Sequence, residues 1–282
     1  MRRIIHSVDE NNNLFYCIIN GRKVAFYLTK RLAKVFMAYL DEGVLVDFEI
    51  SETVKKFENF KAHQIAYFNE IKILKSNKTI YNHAKLKSDM LEFLEDKSYY
   101  LIADLEMTMP SYRQKKFIPE IIQYGFVLVE YRGKTVLEDS SYIFPIKQIP
   151  LSKRTVKFLK LDQGEFNSKA QPYNHFYTSL EEIVNEYQPK IVVWGKNDIV
   201  AIEESYKLHN KLPLTKPTDF IDLSKLHKDY FNLRNDLGLF KAYETYYQVR
   251  ANQIHSAKED AKITKNVFEA FINYINEDIN VK

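Results

Sequence analysis

Two carboxylates stand two residues apart in the stretch Tyr99-Tyr100-Leu101-Ile102-Ala103-Asp104-Leu105-Glu106-Met107-Thr108. The residues ahead of them have the aromatic and aliphatic character of a buried strand. Successive strand residues point to opposite sides, so Asp104 and Glu106 share a face and Leu105 turns to the other. Like charges held side by side raise one another's pKa unless a cation neutralises both. An all-oxygen donor set of this kind suits Mg2+ or Mn2+ rather than zinc. The plainer alternative is a strand that ends in water with both acids exposed. The apolar run before Asp104 makes the strand central and disfavours it.

A further acid, Asp198, follows the apolar run Ile191-Val192-Val193 and Trp194-Gly195, next to Asn197 at the start of a helix. It is either an ordinary helix cap or part of a site of the kind that gathers where strands end and helices begin. The third cluster is His255-Ser256-Ala257-Lys258-Glu259-Asp260. Ser256 followed by Glu259 is a capping box, which makes Ser256 the N-cap of the last helix, His255 the residue before it and Asp260 the N4 residue. Those two positions usually meet as an apolar staple. Here they carry a candidate general base and a candidate metal ligand, with a surface histidine beside a helical aspartate as the alternative.

These residues need a frame. From 99 onward, strands and helices alternate. IIQYGFVLVEY reads as a second strand, Arg132-Gly133 as a hairpin-like turn, and SSYIFPI as a third strand. LSKRTVKFLKL and SLEEIVNEYQ read as helices, KIVVWG as a short buried strand, NDIVAIEESYKLHN as a helix and DFIDL as another strand. A long helix spans 256–276. This order predicts a mixed sheet with helices packed on it. The segment 1–71 reads as a separate strand-rich domain. Asn20-Gly21 signals a type I′ hairpin, and three strands, a helix and two strands follow the order of an OB-like barrel. Residues 72–98 are polar and lysine-rich, a linker and helix or a basic ramp for a polyanion.

Composition sets the outer bounds. The chain has 282 residues and a formal net charge of +4, which by itself says little about nucleic acid. Cys17 is the single cysteine and cannot form an internal disulfide. No apolar run approaches the roughly 20 residues that span a bilayer, and the N-terminus lacks the apolar core of a signal peptide. A cytoplasmic protein without a membrane partner is the expectation.

The three clusters, in this order and at this wide spacing, resemble the DEDDh 3′→5′ exonucleases: Asp104-Leu105-Glu106, then Asp198, then His255 through Asp260. PEIIQYGFVLVE is similar to that family's second strand. FPI with LSKRTVKFLKL is similar to its next conserved stretch, although KLDQGEFN lacks the usual Thr-Gly-Ile. WGKND looks most like the branch that trims histone mRNA. The resemblance covers about 99–276 and leaves 1–98 outside it.

It implies an α/β fold of ribonuclease-H-like type, a mixed sheet flanked by helices, over 99–282, preceded by the small strand-rich domain. It implies a metal-dependent 3′→5′ exoribonuclease that releases nucleoside 5′-monophosphates from single-stranded RNA 3′ ends. Asp104, Glu106, Asp198 and Asp260 would hold two Mg2+ or Mn2+ ions, and His255 would act as the base. Leu105 and Met107 would contact terminal bases, and Thr108 the terminal sugar. The same chemistry on DNA and an inactive nuclease-like adaptor are the alternatives. The N-terminal domain either binds nucleic acid or mediates assembly, a homodimer included.

Overall fold

The computed structural model describes residues 1–110, 117–231, 233, 235–249 and 256–277. The chain divides into two compact units, Met1–Met90 and Leu91–Lys282, each with its own apolar core. Among the described residues no helix is long and apolar enough to cross a membrane.

In the first unit, strands β1 (Arg2–Asp9), β2 (Leu14–Ile19) and β3 (Arg22–Tyr27) form an antiparallel meander. Asn20 and Gly21 join β2 to β3 with φ of 50° and 74°, the left-handed pair that a type I′ turn requires. Helix α1 (Lys30–Phe36) follows, its Leu32 N–H capped by the Thr29 hydroxyl. Then come the long strands β4 (Val44–Lys56) and β5 (Lys61–Ile73).

β1 pairs with β4, β4 with β5, and the start of β5 runs parallel to β3, so five strands close into a barrel. Alternation along the strands sends Phe15, Phe26, Phe48 and Phe68 inward, and their rings meet edge-on, tilted or stacked at 4.9–6.3 Å. Closure leaves few free edges, which is how a small β unit avoids open pairing. The polar stretch 72–98 contains β6 (Lys78–Asn82), paired on the far half of β5, and helix α2 (His83–Leu94).

The second unit is built on β7 (Tyr99–Met107), β8 (Ile121–Glu130), β9 (Thr135–Tyr142), β10 (Lys190–Val193) and β11 (Phe220–Asp222). Their order is β11-β10-β7-β8-β9, with β7 in the middle. β7, β8 and β9 form an antiparallel meander, while β10 and β11 run parallel to β7. This is a mixed α/β sheet.

Helices α5 (Tyr173–Tyr187) and α6 (Lys196–Leu208) cover one face, where Phe176, Leu180 and Ile202 meet Leu101, Ala103 and Leu105. Helix α9 (Ala257–Glu277) covers the other, with Phe268 against Tyr100 at 5.2 Å. The helix expected over 151–161 forms as α3 (Lys153–Leu159), and a second short helix, α4 (Gln163–Lys169), follows it. Lys160 takes a left-handed conformation that ends the first, and the Asp162 carboxylate caps the second. Helices α7 (Leu223–Tyr230) and α8 (Leu239–Tyr247) complete the unit.

Candidate active site

The pleat of β7 decides where the acids go. Leu101, Ala103 and Leu105 enter the core beneath α5 and α6, so Asp104 and Glu106 project towards α9. The ladder with β8 shifts register after Glu106. That irregularity ends the regular pairing where the second carboxylate is placed.

The third acid arrives on α9. Gly125 of β8 lies directly opposite Asp104. A Cβ built on Gly125 would stand 2.2 Å from the Ala257 carbonyl oxygen and 2.6 Å from the Lys258 nitrogen. Glycine is therefore what lets the first turn of α9 lie against the strand. Ala257 and Ala261, both fully buried, keep the approach close. The Ala257 N–H donates to Gln123 Oε1 at 3.2 Å, and the Asp260 N–H donates to the Ser256 carbonyl at 2.8 Å. Asp260 is thereby held beside β7, and Asp104, Glu106 and Asp260 each offer an oxygen within 4.8 Å of the others.

Asp198 sits in the first turn of α6, after Gly195 has turned the chain at φ 101°. It is buried and does not serve as the helix cap. Its Oδ1 accepts from the Leu105 N–H at 3.2 Å, across the end of β7. Asp198 and Asp260 both occupy helix N-terminal turns, where the aligned peptide dipoles favour negative charge.

That favour is small beside the cost of burial. Burial, and then the neighbouring Asp198, Asp260 and Glu106, hold Asp104 well above the usual carboxylate range. Burial, with Asp260 and Asp198 nearby, pushes Glu106 up to about 8. Burial raises Asp198 to about 7 against the opposing Leu105 hydrogen bond, and burial with Glu259 raises Asp260 to about 6. Oδ1 of Asp260 is buried and meets no hydrogen-bond donor among the described residues. Clustered hard oxygens, mutual repulsion and an orphaned buried acceptor all fit a divalent cation of the Mg2+ or Mn2+ class.

Beside the acids lies a recess of about 280 Å³ lined by Asp104, Asp260, Trp194 and the start of α8, Gly238 to Lys241. The indole N–H of Trp194 donates to the Leu237 carbonyl at 3.2 Å, tying the turn after β10 to the entry of α8. Phe240 and Lys241 thus offer an apolar ring and a cation next to the carboxylates.

Three of the four expected acids meet, and Asp198 lies near enough to raise the pKa of Asp104 and Glu106. His255 lies outside the described residues. The other three expected contacts are packed or hydrogen-bonded within the protein. Leu105 has its side chain in the core on the opposite side of β7, and Met107 packs partly against the same cluster. Thr108 is buried and pairs with Glu120, its hydroxyl accepting from the Glu120 N–H and its own N–H donating to the Glu120 carbonyl, both at 2.9 Å.

Sequence reasoning missed Gly125, although a lone glycine inside QYGFVLV is the usual mark of a close backbone approach. It missed the α8 wall too, whose Leu239, Ala242 and Tyr246 do repeat at helical spacing. The buried Glu120, which accepts from the Ile146 and Lys147 N–H groups, is the further case; nothing in its local sequence marks it.

No family model matches the chain. It is 32% identical over 171 residues to the probable 3′-5′ exonuclease KapD of Bacillus subtilis, which spans 60% of this chain and 82% of that protein. Among solved structures it resembles the nuclease domain of 3′hExo, a DEDDh family member bound to rAMP, with a TM-score of 0.56 at 15% identity. That match covers 64% of this chain and 94% of the other. Escherichia coli exonuclease I in complex with a dT13 oligonucleotide matches with a TM-score of 0.51 at 14% identity, over 65% of this chain and 42% of the other. At those identities the likeness shows the fold. The curated relative shows more, and it agrees with the clustered carboxylates on β7 and α9: the chain belongs to the DEDDh family of 3′-5′ exonucleases.

Proposed function

We propose that this exonuclease is a divalent-metal-dependent exoribonuclease that removes nucleoside 5′-monophosphates from the 3′ ends of single-stranded RNA. The observation that carries the metal dependence is the meeting of Asp104, Glu106 and Asp260 within 4.8 Å, with an unpartnered buried oxygen on Asp260. Asp198, fixed on the Leu105 amide, completes the acidic set. Bound Mg2+ or Mn2+ would supply charge neutralisation at the attacking and leaving oxygens of an in-line displacement.

The chain's own groups have definite tasks. The carboxylates, ionised in the loaded site, hold the donor set rigid from three separate elements. His255, by its place in H-x-A-x-x-D, takes the proton from the water that attacks phosphorus. The bond to O3′ of the preceding nucleotide breaks, and that oxygen leaves as a hydroxyl after gaining a proton. Trp194 and Phe240 in the adjoining recess provide apolar surface for the terminal nucleoside.

RNA is favoured by the Trp194-Gly195-x-x-Asp198 form and by the rAMP bound to the similar 3′hExo domain. The strand-strand-strand-helix-strand-strand order of the barrel supports an OB-like module for holding single strands. The test offers 3′-labelled and 5′-labelled single-stranded RNA and DNA of the same sequence, with Mg2+, Mn2+ or EDTA. Labelled mononucleotide released first from the 3′-labelled RNA, and abolished by EDTA, is expected. Cleavage at internal sites or turnover in EDTA overturns the mechanism, and equal rates on DNA remove the RNA preference.

A further inference from the structure

We infer that the outer face of the N-terminal barrel carries a second site, a stacking platform for single-stranded nucleic acid, formed by Tyr16, Tyr27, Phe57 and Phe60 with Lys23 and Lys55. The inference rests on the reading of the chain as a nuclease of single strands.

The platform follows from strand alternation. With Phe15, Cys17, Val24 and Phe26 turned into the barrel, β2 and β3 present Leu14, Tyr16, Lys23, Ala25 and Tyr27 outward. Ala25 is paired with Ala62 of β5, so two adjacent outward positions carry only methyl groups. Leu14, Ala25 and Ala62 are nonetheless buried, because Tyr16, Tyr27 and Phe57 lie over them. A floor of small side chains lets large rings lie flat along the sheet instead of standing on it.

The hairpin between β4 and β5 extends this surface. Residues 57–60 form its tight turn, closed by the Phe57 N–H donating to the Phe60 carbonyl at 2.8 Å. Phe57 and Phe60 stack with 4.9 Å between ring centroids and 6° between planes, and Phe60 reaches within 6.1 Å of Tyr16. Phe60 is 39% exposed, a large apolar ring left on a surface that could have carried a polar residue. Tyr27 is anchored through its hydroxyl, which donates to Gln64 Oε1 at 2.8 Å.

Two cations complete the pattern. The Lys23 ammonium lies 4.4 Å from the Tyr16 ring centroid, and Lys55 lies 4.9 Å from that of Phe57 and 5.8 Å from that of Tyr27. Neither is paired with a carboxylate among the described residues, and Lys56 and Lys61 flank the same hairpin. Glu58 at the tip and Asp9 near Tyr16 are the acids in the neighbourhood. Rings that accept a base face, interleaved with lysines that can meet phosphate, are the chemistry of single-strand binding with little sequence preference. A protein-binding patch would need no such alternation of rings and cations.

The test uses the full chain and a strand of about 30 nucleotides, longer than the roughly 4–16 that one such barrel engages. The strand carries a nuclease-resistant 3′ end and binding is measured in EDTA. Phe60→Ala is expected to weaken binding about five- to a hundredfold, with Phe60→Trp restoring it. Lys23→Gln with Lys55→Gln is expected to reduce the slope of log affinity against log salt by about 1.4. All variants should keep the wild-type melting temperature and wild-type turnover of a strand of about four nucleotides, no longer than the smallest site one such barrel engages. Affinity within twofold of wild type for both the Phe60→Ala and the double lysine variant overturns the site, as does a loss that Phe60→Trp fails to restore. Wild-type protein that binds the resistant strand but leaves an unprotected 3′-labelled strand intact would instead count against the nuclease reading.

Discussion

Asp104 is half-buried among other acids, and that arrangement is costly in the absence of a counter-charge. Asp104→Asn removes one charge without changing shape. It should lower turnover by at least roughly a hundredfold and raise the melting temperature of metal-free protein by a few degrees, at about 2–4 °C per kcal/mol in a unit of this size. Calorimetry in EDTA beside a turnover assay checks both, and a fall in both quantities would contradict the argument. Glu106 adds to the pH dependence that the other raised acids share. Its folded-state pKa is raised from 4.5 to about 8, so the metal-free native state binds the extra proton throughout that interval. Stability therefore falls as pH rises from 4.5 to about 8. Added Mg2+ should raise the melting temperature near the top of this window far more than near its base. At this scale Asp104, Glu106 and Asp260 were legible in the sequence because D-x-E on an apolar strand and an acid in a staple position are both locally anomalous, whereas Asp198 stands where an ordinary cap would. Leu105 and Thr108 were not, since their environments are set by a core and by a loop distant in sequence.

Helix α9 reaches its seat only because β8 has no side chain at Gly125. Gly125→Ala brings a methyl group onto the helix backbone, an overpacking worth about 1–3 kcal/mol. The larger effect should be on rate. A shift of Asp260 by about 1 Å costs on the order of a hundredfold in turnover. The variant is expected to fold with slightly reduced stability and to lose activity out of proportion; a melting curve and a turnover assay together decide it. Elements with a clean period could be read directly: β7, β8 and β10 as apolar runs, the hairpin at Asn20-Gly21 from its dipeptide. α8 was harder to read. Its Leu239, Ala242 and Tyr246 are spaced as in a helix, but Phe240, Tyr243 and Tyr247 around them blur the polar side of the pattern. The break between α3 and α4 depends on Lys160 adopting a conformation that sequence propensity alone disfavours.

At the scale of the molecule each unit has its own main apolar core, one rich in phenylalanines in the barrel and one of aliphatic and aromatic residues beneath α5 and α6. Asp104, Glu106 and Asp260 lie in the unit of the second, where β7 faces α9. Scanning calorimetry should resolve two transitions, with millimolar Mg2+ moving one upward and leaving the other in place. Movement of both, or of neither, would argue against cation binding confined to the nuclease unit.

The docking of α9 at Gly125 also fixes when competence arises. Asp260 is the last of the four acids to be synthesised, and its place depends on a helix that must already be long enough to pack. A chain halted anywhere before it, including one still threaded through a ribosome, carries Asp104, Glu106 and Asp198 without the partner that completes the set. An exonuclease built in this order has its complete acidic set only once translation of the helix is done.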